Sequence, residues 1–210
     1  FTKDNFSIAA FREAISQGGT IRLAAGTYDL SGWKPVPLDN VRLEGAGKSR
    51  TILLGDFELN DFRLDAGNGI FGILVGRVEL EDLTFNKWRC VIGGGGGSFA
   101  STVDAGAFRA LDTVAKTPVD FTEGIACKNV AWINCGRVLF VGGKGDDPTK
   151  NKLDNVFCYH CDVINGWGSF HARTKGSCDN WVFYNCYFQD LMYPPDTSER
   201  EWDGWSPGIW

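Results

Sequence analysis

Three stretches in the second half of this chain repeat one pattern: Asn129-Val130-Ala131-Trp132-Ile133-Asn134-Cys135, Asn155-Val156-Phe157-Cys158-Tyr159-His160-Cys161 and Asn180-Trp181-Val182-Phe183-Tyr184-Asn185-Cys186. Their starts lie 26 and 25 residues apart. A near-constant period of this size points to a repeat architecture in which like units stack on one another. Weaker copies stand upstream at Asn40-Val41-Arg42-Leu43-Glu44-Gly45 and Asp82-Leu83-Thr84-Phe85-Asn86. The gaps of 42 residues between these two and 47 from Asp82 to Asn129 each read as two turns of a solenoid.

Within each copy the second and fourth positions are apolar, the alternation of a strand with one buried face. Val41, Leu83, Val130, Val156 and Trp181, with Leu43, Phe85, Trp132, Cys158 and Phe183, are therefore the expected core stack. The sixth position, Asn134, His160 and Asn185, is expected to form a polar ladder at the corner where the strand ends. Cys135, Cys161 and Cys186 should stack just beyond it as small buried hydrophobes. A solenoid needs its first coil covered. Residues 5–17, with Phe6, Ala9, Ala10, Phe11, Ala14 and Ile15 near helical spacing, read as a capping α-helix. Its N-cap is expected at Asp4 or Asn5 and its stop at Gly18-Gly19.

The 210 residues fit a single domain. It divides into first coils at 20–92, a glycine-rich inserted loop at 93–123, regular coils at 124–192 and an irregular tail at 193–210. The tail either folds across the last coil or leads into further chain. Beginning at Phe1 with no basic-then-apolar leader, the chain reads as a processed form or a fragment. A net charge of −5 without a basic block argues against a nucleic-acid partner. No apolar run approaches the ~18 residues of a membrane span. Seven cysteines leave at least one without an internal partner.

The run Gly18-Gly19-Thr20-Ile21-Arg22-Leu23-Ala24-Ala25-Gly26-Thr27-Tyr28-Asp29-Leu30, then Val41-Arg42-Leu43-Glu44-Gly45-Ala46-Gly47 and Thr51-Ile52-Leu53-Leu54, resembles the start of a right-handed parallel β-helix of the pectate-lyase-like superfamily. The asparagine and cysteine coils extend the likeness to about residue 190. The resemblance implies an all-β, right-handed, single-stranded parallel β-helix. It implies also a polysaccharide partner, bound along the outside of the coils by a lyase or by a phage tailspike. The motifs of polygalacturonase-like hydrolases are missing, since the two histidines sit in Tyr159-His160-Cys161 and Phe170-His171-Ala172. The arginine signatures of pectate lyases and the Asp-Pro-His of mannuronan epimerases are missing too.

Superposition by steps of 26 and 25 residues puts Gly145, His171 and Asp196 in one column and Asp147, Arg173 and Ser198 in the next. Uronate elimination needs a base and a cation to neutralise the carboxylate, roles open to His171 and to Arg173 or Lys175. Asp147 and Asp196 offer the paired carboxylates of a hydrolase instead. A solvated turn cluster accounts for the same residues. Tyr159 and Tyr184 occupy one outward position on consecutive coils beside Phe157, a stripe suited to stacking on sugar rings or to a subunit contact.

Cys158-x-x-Cys161 lacks the second half of a zinc site, and Gly45-Ala46-Gly47-Lys48-Ser49 lacks the first glycine of a phosphate loop. Gly93 to Gly97 read as a hinge. No metal site is expected, and calcium is the one cofactor left open. Two functions follow: an extracellular or virion-surface protein that binds and cleaves an acidic polysaccharide, or a non-catalytic β-helix of a virion fibre, tail or adhesin. The second reading brings with it a homotrimer or a larger particle.

Overall fold

The computed structural model describes residues 1–59, 69–74, 76–94, 124–142, 155–166, 170–173 and 181–191. After a 3-10 turn at Lys3–Asn5 and helix α1 (Ile8–Gln17), the strands come in successive triplets. The first holds β1 (Gly19–Arg22), β2 (Gly26–Asp29) and β3 (Val36–Leu38); the second, β4 (Val41–Glu44), β5 (Thr51–Leu54) and β6 (Ile70–Leu74). The third holds β7 (Val78–Glu81), β8 (Thr84–Asn86) and β9 (Cys90–Gly94); the fourth, β10 (Ile125–Lys128), β11 (Ala131–Ile133) and β12 (Arg137–Gly142). The fifth holds β13 (Val156–Tyr159), β14 (Asp162–Gly166) and β15 (Phe170–Arg173); β16 (Trp181–Tyr184) and β17 (Tyr187–Leu191) open a sixth.

Every strand pairs in parallel with the third strand along, which makes three sheets: β1-β4-β7-β10-β13-β16, β2-β5-β8-β11-β14-β17 and β3-β6-β9-β12-β15. The described residues are thus mostly β, in parallel sheets with one α-helix, an arrangement compatible with a parallel β-helix or solenoid. No helix among the described residues is long and apolar enough to cross a membrane.

The register corrects the repeat. Val156 pairs with Trp181 and Cys158 with Phe183, so the 25-residue step is one turn of the pattern. The Asn129 copy, however, does not align with Asn155: Ile125 pairs with Val156 and Ala131 with Asp162, a step of 31. Neither gap holds two turns: the 47-residue one is a single turn, since Val78 pairs with Ile125, and the 42-residue one is a single turn plus a strand, since Val41 pairs with Val78. Leu83, Phe85, Val130 and Trp132 consequently belong to the second sheet and its corner. The inward rows of the first sheet are Val41-Val78-Ile125-Val156-Trp181 and Ile21-Leu43-Leu80-Cys127-Cys158-Phe183. All three faces of a turn alternate with the same period, so alternation alone does not say which face a copy occupies.

The single ladder expected at the sixth position is two ladders. At the corner after the first sheet, Asp82, Asn129, His160 and Asn185 have φ of 56°, 52°, 54° and 51°. Asn129 Nδ2 donates to Asp82 Oδ1 at 2.5 Å, and Asn185 Nδ2 lies 2.8 Å from His160 Nδ1. At the corner after the second sheet, Asn165 Nδ2 donates to Asn134 Oδ1 at 2.6 Å and Asn134 Nδ2 to Asn86 Oδ1 at 3.0 Å. Asparagine suits both places because its short amide tolerates left-handed backbone and bonds across the turn. Cys135 follows the second corner, while Cys161 and Cys186 follow the first, so the three do not form one stack.

Helix α1 starts later than expected: Ser7 is its N-cap, the hydroxyl accepting from the Ala10 N–H at 3.2 Å. It ends at Gly18, whose φ of 72° releases the chain into β1. Phe11 and Ile15, one helical turn apart, are buried, whereas Ala9 and Ala10 face solvent. Phe11 meets Trp33 and Phe71 at 5.7 and 6.4 Å between ring centroids. Phe71 passes the contact to Phe85 and Trp88 at 5.0 and 5.3 Å. The indole N–H groups of Trp33 and Trp88 donate to the Phe71 and Leu53 carbonyls, which lets these large side chains be buried without an orphaned donor.

Candidate functional site

Strand alternation turns one row of the first sheet outward as Arg22-Glu44-Glu81-Lys128-Tyr159-Tyr184 and a second as Thr20-Arg42-Glu79-Ala126-Phe157-Val182. The face therefore changes character along its length. From β1 to β10 it is a charge network: Arg22 pairs with Glu44 at 3.4 Å, Arg42 with Glu79 and Glu81 at 3.6 and 2.5 Å, and Lys128 with Glu81 at 2.7 Å. Arg77 also pairs with Glu79. The Lys128 ammonium, with Arg42 helping, holds the Glu81 carboxyl below its usual range, and Glu81 in turn raises the Lys128 amine.

From β13 to β16 the same face is aromatic. The Tyr159 and Tyr184 rings are 5.3 Å apart and 5° from parallel, and Phe157 lies 6.2 Å and 11° from Tyr159. Ring atoms in contact sit about 3.5–4.0 Å apart. A 5.3 Å centroid separation between parallel rings is wider than such contact and close to the ~4.8 Å step between strands. Tyr184 is 59% exposed, with Val182 and Tyr187 at 39% and 53%. These three are the exposed large hydrophobic residues of the described chain.

The corner beside the tyrosines is polar. The His160 ring meets Tyr159 edge-on at 4.0 Å and Tyr184 at 6.3 Å. Its Nδ1 lies 2.8 Å from the Asn185 amide nitrogen. Lys48, on the turn after β4, reaches across to pair with Asp162 at 2.5 Å and to donate to the His160 carbonyl at 3.3 Å. That turn, Gly45 to Arg50, is the segment weighed against a phosphate loop. It is instead a β-turn connection, with Thr84 Oγ1 donating to the Lys48 carbonyl and Thr51 Oγ1 accepting from the Ala46 N–H.

Tyr159 and Tyr184 are the register partners that the 25-residue step implied. His171 and Arg173 stand on β15, but opposite Phe140 and Gly142 of β12 rather than Gly145 and Asp147, because the step there is 31. Asp147, Lys175 and Asp196 lie outside the described residues, as do 95–123 of the expected inserted loop, while Gly93 and Gly94 belong to β9. The ladder neighbours His160 and Asn185 do meet as their spacing implied, whereas Lys48 and Asp162 are the neighbours that spacing missed. Lys48 is far from His160 in the chain, and only the ladder position of His160 hinted at the corner.

Among the described residues no group of three or more histidine, cysteine or acidic side chains is arranged to hold a metal ion. Comparison with protein-family models, curated proteins and solved structures finds no match.

Proposed function

We propose that the chain is a right-handed parallel β-helix closed at its first coil by α1, and that it binds an extracellular acidic polysaccharide along its outer face and cleaves it. The handedness rests on the parallel crossovers from strand to third strand, which are right-handed in nearly all proteins. The capping role rests on Phe11 and Ile15, buried against β1 and β3 at the first edge of their sheets. The observation that carries the binding reading is the parallel stack of Tyr159 and Tyr184 with Tyr184 largely exposed, an aromatic surface suited to the apolar side of a sugar ring. His171 with Arg173, two positions apart on β15, remain the proposed base and cation for elimination, with Lys175 as a second cation. Asp147 and Asp196 are the alternative carboxylates for hydrolysis.

Titration of the protein with a panel of uronate polymers, followed by calorimetry and by absorbance near 235 nm, tests both halves. Tyr184→Ala should weaken binding roughly tenfold, and elimination should produce an unsaturated sugar that absorbs there. Binding unchanged in Tyr159→Ala and Tyr184→Ala alike would remove the stack from the site.

The second reading, a structural β-helix of a virion fibre, tail or adhesin, draws on the last triplet. Trp181, Phe183, Phe188 and Leu191 are only partly buried there, whereas Val156, Cys158 and Val163 one triplet earlier are buried. An apolar end of this kind suits a further coil or a homotrimer, and the exposed tyrosines then become subunit contacts. Sedimentation of the isolated chain separates the two readings: a trimer whose assembly is broken by Tyr184→Ala favours the structural one.

A further inference from the structure

Four thiols gather at the corner between the first two sheets. Cys127 and Cys158 are inward register partners on β10 and β13, both buried. Cys161 and Cys186 hold one position on consecutive triplets, because the residues that follow them, Asp162 and Tyr187, are register partners. The Tyr187 N–H donates to the Cys161 carbonyl at 2.8 Å. The two thiols also repeat one set of contacts. Cys161 donates to the carbonyls of Cys127 and Tyr159, both at 3.5 Å, and Cys186 to those of Cys158 and Tyr184 at 3.4 and 3.6 Å. Like positions on adjacent strands are ~4.8 Å apart, within the ~4.4–6.8 Å between α carbons that a disulfide spans. Cys161 is 1% exposed, and Cys186, on the outermost described triplet, is only partly buried.

We propose that Cys186 and Cys161 form a thiol–disulfide exchange pair, in which Cys186 takes up a low-molecular-weight disulfide and Cys161 resolves it into a Cys161–Cys186 bond. In the first step the Cys186 thiolate attacks one sulfur of the small disulfide. That S–S bond breaks, a mixed disulfide forms, and one thiolate leaves to be protonated by water. In the second step the Cys161 thiolate attacks the Cys186 sulfur and expels the other small thiol. The protein loses two electrons and two protons, and one small disulfide becomes two thiols. The surroundings favour this order. The Cys158 thiol, donating to Cys161, holds it below its usual value, with the Lys48 ammonium adding to the effect, while Cys158 itself is raised well above. Thiolate is thereby concentrated on the resolving residue. Burial raises Cys186, so uptake is the slow step and quickens with pH.

The product ties β16 and β17 to the triplet before them by closing a loop of about 25 residues. Incubation of the whole chain with glutathione disulfide, followed by intact mass and peptide mapping, tests the pair. The expected result is the loss of two hydrogens with a Cys161–Cys186 link, and hydrogen exchange in β16 and β17 slowed on the order of a hundredfold. Cys161→Ser should stop at a stable glutathione adduct on Cys186, and Cys186→Ser should give neither adduct nor link. The peptide map of the unaltered chain decides the matter even if a variant fails to fold. A persistent adduct on Cys186, a link to Cys127, Cys158 or Cys178, or no reaction would each overturn the proposal.

Discussion

Glu81 accepts from Lys128 through one carboxylate oxygen and from Arg42 through the other, and both bonds favour its charged form. An unfolded glutamate titrates near ~4.3, so a lowered folded value stabilises the fold above that pH. The contribution is lost as pH falls through the lowered value. Urea midpoints at neutral pH and near pH 3 should therefore differ more in the unaltered protein than in Glu81→Gln. A midpoint difference that the variant leaves unchanged would mean that the outer charge network adds nothing through this residue. Gly45 makes a different demand at the same corner. A Cβ there would lie 2.2 Å from the Asp82 carbonyl oxygen and 2.9 Å from the Thr51 Cβ. Gly45→Ala must push backbone aside, and a loss of about 1–3 kcal/mol is expected in denaturant melts.

At the scale of elements, the corners and α1 carry the testable weight. Asn129 is left-handed at φ 52° and donates to Asp82. Asn129→Ala should cost about 1–2 kcal/mol in backbone strain alone. Asn129→Gly, which removes the bond but not the conformation, should cost less, and equal losses would mean that the ladder bond dominates. Phe11→Ala, which takes a fully buried ring out of the contact between α1 and Trp33, should cost about 3–5 kcal/mol by thermal or chemical melts. These elements also mark how far the amino-acid pattern could be read. Alternating apolar positions and the Gly18 stop were plain, and Tyr159 met Tyr184 because one turn there is 25 residues, the very spacing of the copies. One turn earlier the step is 31, and the Asn129 copy slipped onto another face because left-handed asparagine marks more than one corner, Asn155 standing before the first sheet and Asn129 after it. The columns built on His171 inherited that slip.

Across the whole molecule, the outer face of the first sheet divides into a charged part and an aromatic part, and a ligand lying along it would meet both. Salt separates their contributions: with Tyr184→Ala the remaining polysaccharide affinity should fall more steeply with ionic strength than in the unaltered chain. Parallel salt curves would place the ligand away from Lys128. The sheet order follows from local pattern, and so does the meeting of His160 with Asn185, but the arrival of Lys48 at Asp162 and His160 joins distant triplets and leaves no trace in spacing. Lys48 has a mechanical side as well. In most stacked-repeat proteins each unit touches only its neighbours, so the array comes apart link by link. Here the turn after β4 reaches Asp162 and the His160 carbonyl, three triplets on. Pulled from its C-terminal end, the array should shed its last strands freely and then stall at this clasp, as a zipper stalls at a stitch sewn across its teeth.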